Sequence, residues 1–403
     1  MTPARASFAP RRIGSTNALV AISALYLAAS AFGVLRVPGL GLTYANLALI
    51  LLGVACVWVG RFGDVRPFFY LATLMALDLL FRAYLSTMGD IGYSVNIGKM
   101  ALFALIAPQL AASGTRGRSV LAITFGVAAL GSELFALAYP SYREGLYNSQ
   151  GMLTGIDDAD ELASLLYRPT GLIGDPNYFA IPLVLMAAAL FSLRRYGWFF
   201  AVAVLVATTG SRAVMVALFL PIAVRQLFDA RTRPLRFIVY LLCCLGVFVL
   251  AVSFNELLRG DTADSNTERA MLVQQGIDNV LSLSFLHATY GQPLGLGIGG
   301  DALVVHNTYL QTAVTSALLA IYLVYRSVTG MVRSPDRLVL ATLIIEMLFL
   351  DLSSFSSILF AFFIFSEGSR IGSRRPDTVA AAPRPVPRRA DSRPAGAAST
   401  TRA

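Results

Sequence analysis

Long apolar stretches separated by short polar segments occupy most of the chain. Each stretch is about 18 to 20 residues long, the length of α-helix that crosses the roughly 30 Å hydrocarbon layer of a bilayer. The pattern predicts an all-α, polytopic membrane protein with about twelve transmembrane helices, or eleven or ten if segment 198–209 or 355–365 is re-entrant. The predicted helices begin near Asn17, Gly41, Arg66, Ser94, Ser119, Asn177, Trp198, Ser211, Arg236, His306, Arg337 and Phe355.

Composition and charge support insertion in a membrane. Hydrophobic residues make up 56% of the chain and charged residues 14%. A water-soluble globule of this size could not bury so many apolar side chains. All but eight of the 32 Lys and Arg residues lie in the termini and in alternate loops, as expected when positive charge is retained in the cytoplasm. Both termini are therefore predicted to be cytoplasmic. The net charge of +9 then reflects Lys and Arg residues kept on the cytoplasmic side. Binding to nucleic acid is therefore not expected.

The polar segments divide the chain into three parts. Residues 1–16 form a cytoplasmic N-terminal segment, 17–367 a transmembrane domain, and 368–403 a basic tail rich in Pro, Ala, Arg and Ser that is predicted to be disordered. The first span is expected to stay in the mature protein and not to be cleaved as a signal peptide, because further spans follow it at once. Two outward loops, at about 139–176 and 255–305, are long enough to be functional.

Neither cysteines nor acidic residues give a clear metal site. Cys56, Cys243 and Cys244 lie inside predicted spans, where packing is the expected role. The first long loop carries an acidic cluster whose Asp-x-Asp pair could hold a divalent cation, although a solvated acidic loop is the simpler interpretation. No metal and no cofactor are therefore predicted. The cluster is Asp157, Asp158, Asp160 and Glu161.

Eight basic residues fall outside the cytoplasmic pattern. An Arg or Lys at the bilayer centre costs roughly 2.5 to 3.5 kcal/mol on insertion scales, and less near the interface. A diphosphate on a lipid carrier, which arrives in the plane of the membrane, would compensate several of these charges at once. The eight are Arg36, Arg82, Lys99, Arg143, Arg168, Arg212, Arg259 and Arg269.

Simpler roles exist for two of these cations. Asp78 lies one helical turn before Arg82, so a structural ion pair is as reasonable there as ligand binding. Arg212 could extend its side chain to lipid headgroups. It also follows Gly210 and Ser211 at the start of a predicted span, where helix amides and the helix dipole favour anions.

His306 is one of two histidines and follows a glycine-rich loop, 291–300, at the start of a predicted span. The loop has no surrounding βαβ unit, so a dinucleotide site is rejected. Glycines there would let the backbone approach a ligand. Neighbouring cations would keep His306 unprotonated and able to accept a proton from a hydroxyl group. A packed or interfacial histidine is the alternative, and His287 is taken as structural.

Five short motifs occur in order in the second half of the chain. Together they resemble the O-antigen ligase and polymerase superfamily of bacterial membrane glycosyltransferases, from about Arg168 to the last span. The motifs are Arg-Pro-Thr-Gly-Leu-Ile-Gly-Asp-Pro-Asn-Tyr from Arg168, Gly-Ser-Arg-Ala from Gly210, Glu-Arg-Ala-Met-Leu from Glu268, Pro-Leu-Gly-Leu-Gly-Ile-Gly from Pro293 and His-Asn-Thr-Tyr-Leu from His306.

The resemblance implies an inverting, metal-independent transfer of a glycan from an undecaprenyl diphosphate carrier to a hydroxyl acceptor, at the periplasmic face of the bacterial inner membrane. It implies His306 as the catalytic base and Arg212 and Arg269 as diphosphate ligands, with Arg168 as a further contact. Lys99 stands where the family often has a basic residue. Further candidates, by position, are Arg82, Asn177 and Asn307.

The acceptor stays open at this stage. A ligase would transfer to a lipid A core sugar and a polymerase to another lipid-linked glycan, and polysaccharide assembly proteins are possible partners of either. A multispanning transporter or flippase of lipid-linked saccharides is the main alternative, because it too would use intramembrane cations. Against it, the cations gather at one face and no internal repeat is detectable. A non-catalytic scaffold would have no use for a histidine beside arginines.

Overall fold

The computed structural model describes the chain in several stretches. It describes residues 13–40, 42–60, 64–84, 92–142, 169–229, 263–282, 307–350 and 355–368, with positions 238, 241–242, 245–246 and 249 besides. The segment before residue 13, most of the two predicted outward loops and the tail after residue 368 lie outside these stretches. The predictions for those segments, disorder of the tail included, stay predictions.

Thirteen named helices occur in the described stretches. Of the described residues, 84% are helical, most of them in these thirteen helices. No strand occurs among the described residues. The predicted all-α class is therefore confirmed. The helices are α1 (Ile13–Ala31), α2 (Tyr44–Val59), α3 (Arg66–Tyr84), α4 (Gly92–Ala111), α5 (Gly114–Ala138), α6 (Pro176–Ser192), α7 (Tyr196–Thr208), α8 (Arg212–Asp229), α9 (Ala263–Ser282), α10 (Thr308–Thr315), α11 (Ala317–Arg333), α12 (Arg337–Phe349) and α13 (Ser356–Ser366).

Two helices, α4 and α5, are long and apolar enough to cross a membrane by length and composition. Five shorter apolar segments occur in α1, α2, α6, α7 and α13. The count of about twelve spans and the orientation of the loops stay predictions.

Helix α13 lies at the centre of the helix packing. It contacts α4, α5, α11 and α12, and every residue from 358 to 366 is buried. Phe360 packs on Tyr26 of α1 with ring centroids 5.2 Å apart and on Phe103 of α4 at 5.0 Å. An apolar helix that is buried on all sides belongs to the protein interior.

The predicted span that begins at His306 is two helices in the structure. Ser316, with φ −163° and ψ 103°, ends α10 and begins α11. Its amide donates to the Thr312 carbonyl at 2.6 Å, and its hydroxyl accepts from the Leu319 amide at 3.4 Å. The prediction of one continuous helix was wrong, because a single extended residue can terminate one helix and cap the next.

A second difference lies in the predicted outward loop 255–305. Residues 263–282 of that loop form α9, a helix of 20 residues. Its sequence is too polar for a transmembrane stretch, so the search for apolar runs did not detect it. Helix α9 packs against α10.

Buried ion pairs hold the C-terminal end of α13. The Arg118 guanidinium of α5 lies 2.8 Å from the carboxylate of Asp336, and both side chains are almost completely buried. Arg118 also donates to the Glu367 carbonyl at 2.9 Å, while Arg326 of α11 pairs with the Glu367 carboxylate at 2.9 Å. Arg118 and Arg326 therefore join α5, α11 and the N-cap of α12 to the end of α13.

Candidate functional site

The structure describes half of the predicted site residues in full. Lys99, Asn177, Arg212 and Asn307 lie in the described stretches with their side chains. Arg168 and His306 lie outside them, and for Arg82 and Arg269 only the helical backbone is described. The predicted roles of those four residues therefore stay predictions.

Lys99 lies half-buried on α4 and contacts the first residue of α13. Its Nζ donates to the Ser356 hydroxyl at 3.1 Å and to the Asn96 side-chain oxygen at 3.4 Å. Both partners are neutral oxygens, and no salt bridge to Lys99 occurs within the described part of the chain. Lys99 is also the only lysine in the sequence. Its positive charge can therefore attract an anion at this end of α13.

The start of α6 is fixed by its own N-cap. The Asp175 carboxylate accepts from the amides of Asn177 at 2.6 Å and Tyr178 at 3.3 Å, and Pro176 occupies the first helical position. These contacts explain the Asp-Pro-Asn-Tyr sequence as a helix start. They also mean that the Asn177 backbone is already bonded, so only its half-buried side chain could contact a ligand.

Tyr178 connects this helix start to α13. Its ring stacks on Phe355, with centroids 3.9 Å apart and an interplanar angle of 21°. The two rings line a mainly apolar cavity of about 210 Å³, together with Gly33, Phe125 and Ile173 among others. Because Phe355 lines the cavity and directly precedes Ser356, the cavity and the Lys99 contact both lie at the start of α13.

The loop before α6 is attached to α5 by two side chains that sequence analysis did not select. The Glu133 carboxylate accepts from the amides of Thr170 and Gly171, and the Ser132 hydroxyl accepts from the Leu172 amide at 3.5 Å. An acid within an apolar stretch is the only sequence signal for Glu133, and it does not by itself identify backbone amides as the partners. We call Ser132 and Glu133 the α5 clamp.

Gly171 lies against this clamp, and its replacement by alanine is expected to destabilise the protein. Its φ is +56°, and an added Cβ would lie 2.4 Å from the Ser132 Oγ and 3.0 Å from the Phe179 ring. We expect Gly171→Ala to lower the free energy of unfolding by about 1–3 kcal/mol, measured by denaturant unfolding in detergent micelles. Gly131→Ala is the matched control, since among the described residues its Cβ would meet only Phe32, at 3.7 Å. Equal stability of the two variants would contradict the proposed steric conflict.

Arg212 is exposed at the first position of α8. The turn before it contains Gly210 in the left-handed conformation, with φ +65°. The hydroxyl of Ser211 is buried and has no hydrogen-bond partner in the described stretches. Helix α8 packs on α6 and α12. Arg212 therefore begins a helix that contacts the Asp-Pro-Asn-Tyr helix, as a shared ligand site would require.

Asn307 attaches the start of α10 to the end of α12. Its side-chain oxygen accepts from the Leu310 amide at 2.9 Å, and its Nδ2 donates to the Leu348 carbonyl at 3.0 Å. Thr308 donates to the Leu350 carbonyl from both its amide and its hydroxyl. The chain directly after His306 is thereby fixed. The predicted ligand role of Asn307 competes with this structural role, because both of its polar atoms are engaged.

The structure gives Asp78 a different contact from the predicted ion pair. Its buried carboxylate accepts a hydrogen bond from the Ser94 hydroxyl of α4. This bond connects α3 to α4. A pair with Arg82 stays a prediction, because the Arg82 side chain lies outside the described part.

Glu346 is a buried acid in the middle of the helix packing. Its side chain on α12 is completely buried, and neither carboxyl oxygen has a hydrogen-bond partner in the part of the chain that the structure describes. An isolated carboxylate is very costly in such a place, so the group is expected to carry a proton. Leu350, which binds Thr308, lies one helical turn further along the chain.

Among the described residues, no group of three His, Cys, Asp or Glu side chains could hold a metal ion. The acidic cluster 157–161 lies outside the described part, so the absence of a metal stays a prediction. Comparison of the chain with protein-family models, curated proteins and solved structures finds no match. The resemblance to the O-antigen ligase and polymerase superfamily therefore rests on the sequence motifs.

Proposed function

We propose that the protein is a membrane glycosyltransferase that moves a glycan from a polyprenyl diphosphate carrier to a hydroxyl acceptor. The observation that carries the proposal is that the half-buried Lys99 ammonium group donates to Ser356, the residue directly after Phe355, whose ring lines the cavity with Tyr178. A cation beside an apolar, aromatic cavity suits a ligand with an anionic head and an apolar chain. A lipid-linked diphosphate is such a ligand.

The proposed setting is the bacterial inner membrane, with the site at the periplasmic face. Two helices of sufficient length and apolarity support membrane insertion. Large apolar side chains are also exposed on the described helices, including Trp58 at 84% and Trp198 at 70%. Exposed apolar surface of this kind is suited to contact with lipid.

In the proposed reaction, an acceptor hydroxyl oxygen attacks the anomeric carbon of the donor glycan. The bond between that carbon and the diphosphate oxygen breaks, and its electron pair leaves with the diphosphate. His306 takes the hydroxyl proton, while Lys99, Arg212 and Arg269 stabilise the negative charge that develops on the leaving group. A single displacement of this kind inverts the anomeric configuration and needs no metal ion.

The position of Arg269 is compatible with this scheme. Its helix, α9, packs on α10, and α10 begins directly after His306 and Asn307. Arg269 therefore lies on a helix that contacts the element which follows His306 in the sequence. This proximity of elements supports the proposal, and the side-chain contacts stay predictions.

Complementation of a deletion strain tests the reaction. Wild type, His306→Ala and Lys99→Met are compared by the size distribution of surface glycan and by mass spectrometry of the carrier lipid. We expect His306→Ala to match the deletion, and the donor that accumulates identifies the reaction: single repeats indicate a polymerase, and long unattached chains indicate a ligase. Normal surface glycan in the His306→Ala strain would refute the assignment of His306 as the catalytic base and would favour the transporter function.

The single lysine provides a direct test of donor binding. An amine-specific acylating reagent modifies only Lys99 and the chain's N-terminal amine, and peptide mass spectrometry separates the two. We expect a polyprenyl diphosphate glycan to slow acylation of Lys99 at least about tenfold when the site is saturated. Lys99→Arg, which keeps the charge, should retain transfer, whereas Lys99→Met should weaken it. Unchanged acylation of Lys99 at saturating donor would remove this residue from the site.

A further inference from the structure

The α5 clamp, Ser132 and Glu133, receives three consecutive backbone amides. Thr170 and Gly171 donate to one Glu133 carboxylate oxygen, and Leu172 donates to the Ser132 hydroxyl. Successive amides that converge on one point form a concave anion-binding turn. Here the bound anion is the protein's own carboxylate. These bonds also offset the cost of an acid within the apolar part of α5.

The segment held by the clamp has little conformational freedom. Gly171 takes a left-handed conformation against Ser132, and the Gly174 amide donates to the Thr170 carbonyl at 3.3 Å. Thr170 and Leu172 are completely buried. Beyond Gly174, the Asp175 cap starts α6. Hydrogen bonds therefore hold residues 170–178 both at the clamp and at the start of α6.

We propose that Glu133 is a positioning residue for the donor site. Its carboxylate fixes residues 170–172, which set the start of α6 and the stacking of Tyr178 on Phe355. Phe355 in turn precedes Ser356, the hydrogen-bond partner of Lys99. Glu133 thereby acts on the cavity and on the ammonium group without contacting the ligand. The predicted effect of Glu133 on glycan transfer rests on the proposed function. Its predicted effect on the positions of Tyr178, Phe355 and Ser356 does not.

Two replacements separate the effect of the acceptor oxygen from that of side-chain removal. Glu133→Gln keeps a carbonyl oxygen that can accept both amides, whereas Glu133→Ala leaves Thr170 and Gly171 without their partner. Leu134→Ala is the matched control, because Leu134 is the next residue of α5 and is 67% exposed. All three variants are studied as full-length protein in lipid nanodiscs, at a temperature at which circular dichroism shows each to be folded.

The first measurement needs no donor. The rate of Lys99 acylation reports the position of Ser356 and its neighbours, and we expect Glu133→Ala to change this rate at least about threefold while Glu133→Gln and Leu134→Ala stay near wild type. A loss of thermal stability alone would not alter the rate in the folded protein. Wild-type acylation in Glu133→Ala would overturn the inference, whatever reaction the protein performs.

The second measurement uses the lipid-linked donor. We expect Glu133→Ala to raise the KM for donor about tenfold with a smaller change in kcat, since the site is displaced and the reacting groups are kept. Glu133→Gln should restore most of the affinity. An unchanged KM in Glu133→Ala would overturn the proposed effect on the donor. If wild type shows neither transfer nor donor protection of Lys99, the proposed function fails, and the donor-free measurement still decides the positioning role.

Discussion

Arg118→Met is expected to lower the free energy of unfolding by about 3–5 kcal/mol, the usual cost of breaking a buried ion pair by removal of one partner. The change leaves the Asp336 carboxylate buried without its cation, and it removes the donor to the Glu367 carbonyl. Denaturant unfolding in detergent micelles, followed by tryptophan fluorescence, measures the loss.

Two further variants test whether loss of the ion pair causes the lower stability of Arg118→Met. Arg116→Met is the matched control, because Arg116 is exposed two residues away at the start of α5, and it should change stability little. Combining Arg118→Met with Asp336→Leu removes both charges, and we expect it to recover most of the loss. A loss below about 1 kcal/mol in the single variant would show that the pair is solvated in the folded protein.

Glu346→Leu is expected to raise the free energy of unfolding by about 1–3 kcal/mol, the cost of a buried polar group without a partner. Leucine fills a similar volume and needs no hydrogen bond. Glu346→Gln is the control, since it keeps two polar atoms in the same position and should give no comparable gain. The same unfolding assay measures both variants.

A destabilised Glu346→Leu would contradict this expectation. It would mean that the carboxyl group makes a stabilising contact that leucine cannot replace. A stable Glu346→Leu variant that loses transfer activity would instead indicate a functional acid kept at a cost in stability.

The helical frame was largely predictable, because apolar stretches of suitable length determine where helices lie. The starts of α4, α5 and α6 fall close to the predicted positions. The interruption at Ser316 was not predictable, since a single serine does not lower the hydropathy of a long stretch, and its extended conformation depends on bonds to Thr312 and Leu319. Helix α9 was missed because its sequence is polar.

The candidate site was only partly predictable. Lys99 stood out as a cation in an apolar stretch, and Asn177 and Tyr178 belonged to a motif. Their meeting at Phe355 and Ser356 depends on tertiary contacts, and Lys99 and Ser356 are 257 residues apart. Glu133 was missed because a carboxylate bonded to backbone amides leaves no pattern that distinguishes it from any other acid.

The position of α13 has a consequence for the order in which the protein is assembled during synthesis. This helix is made after every other described helix, yet it fills the centre of their packing. Arg118 is made 249 residues before the carbonyl of Glu367 that it binds. The earlier helices are therefore made while the place of α13 is still empty and while Arg118 still lacks this partner. Addition of this eleven-residue helix would then be the last step in packing the described helices. A chain that stops before Phe355 would leave uncovered the surfaces of α4, α5, α11 and α12 that α13 contacts.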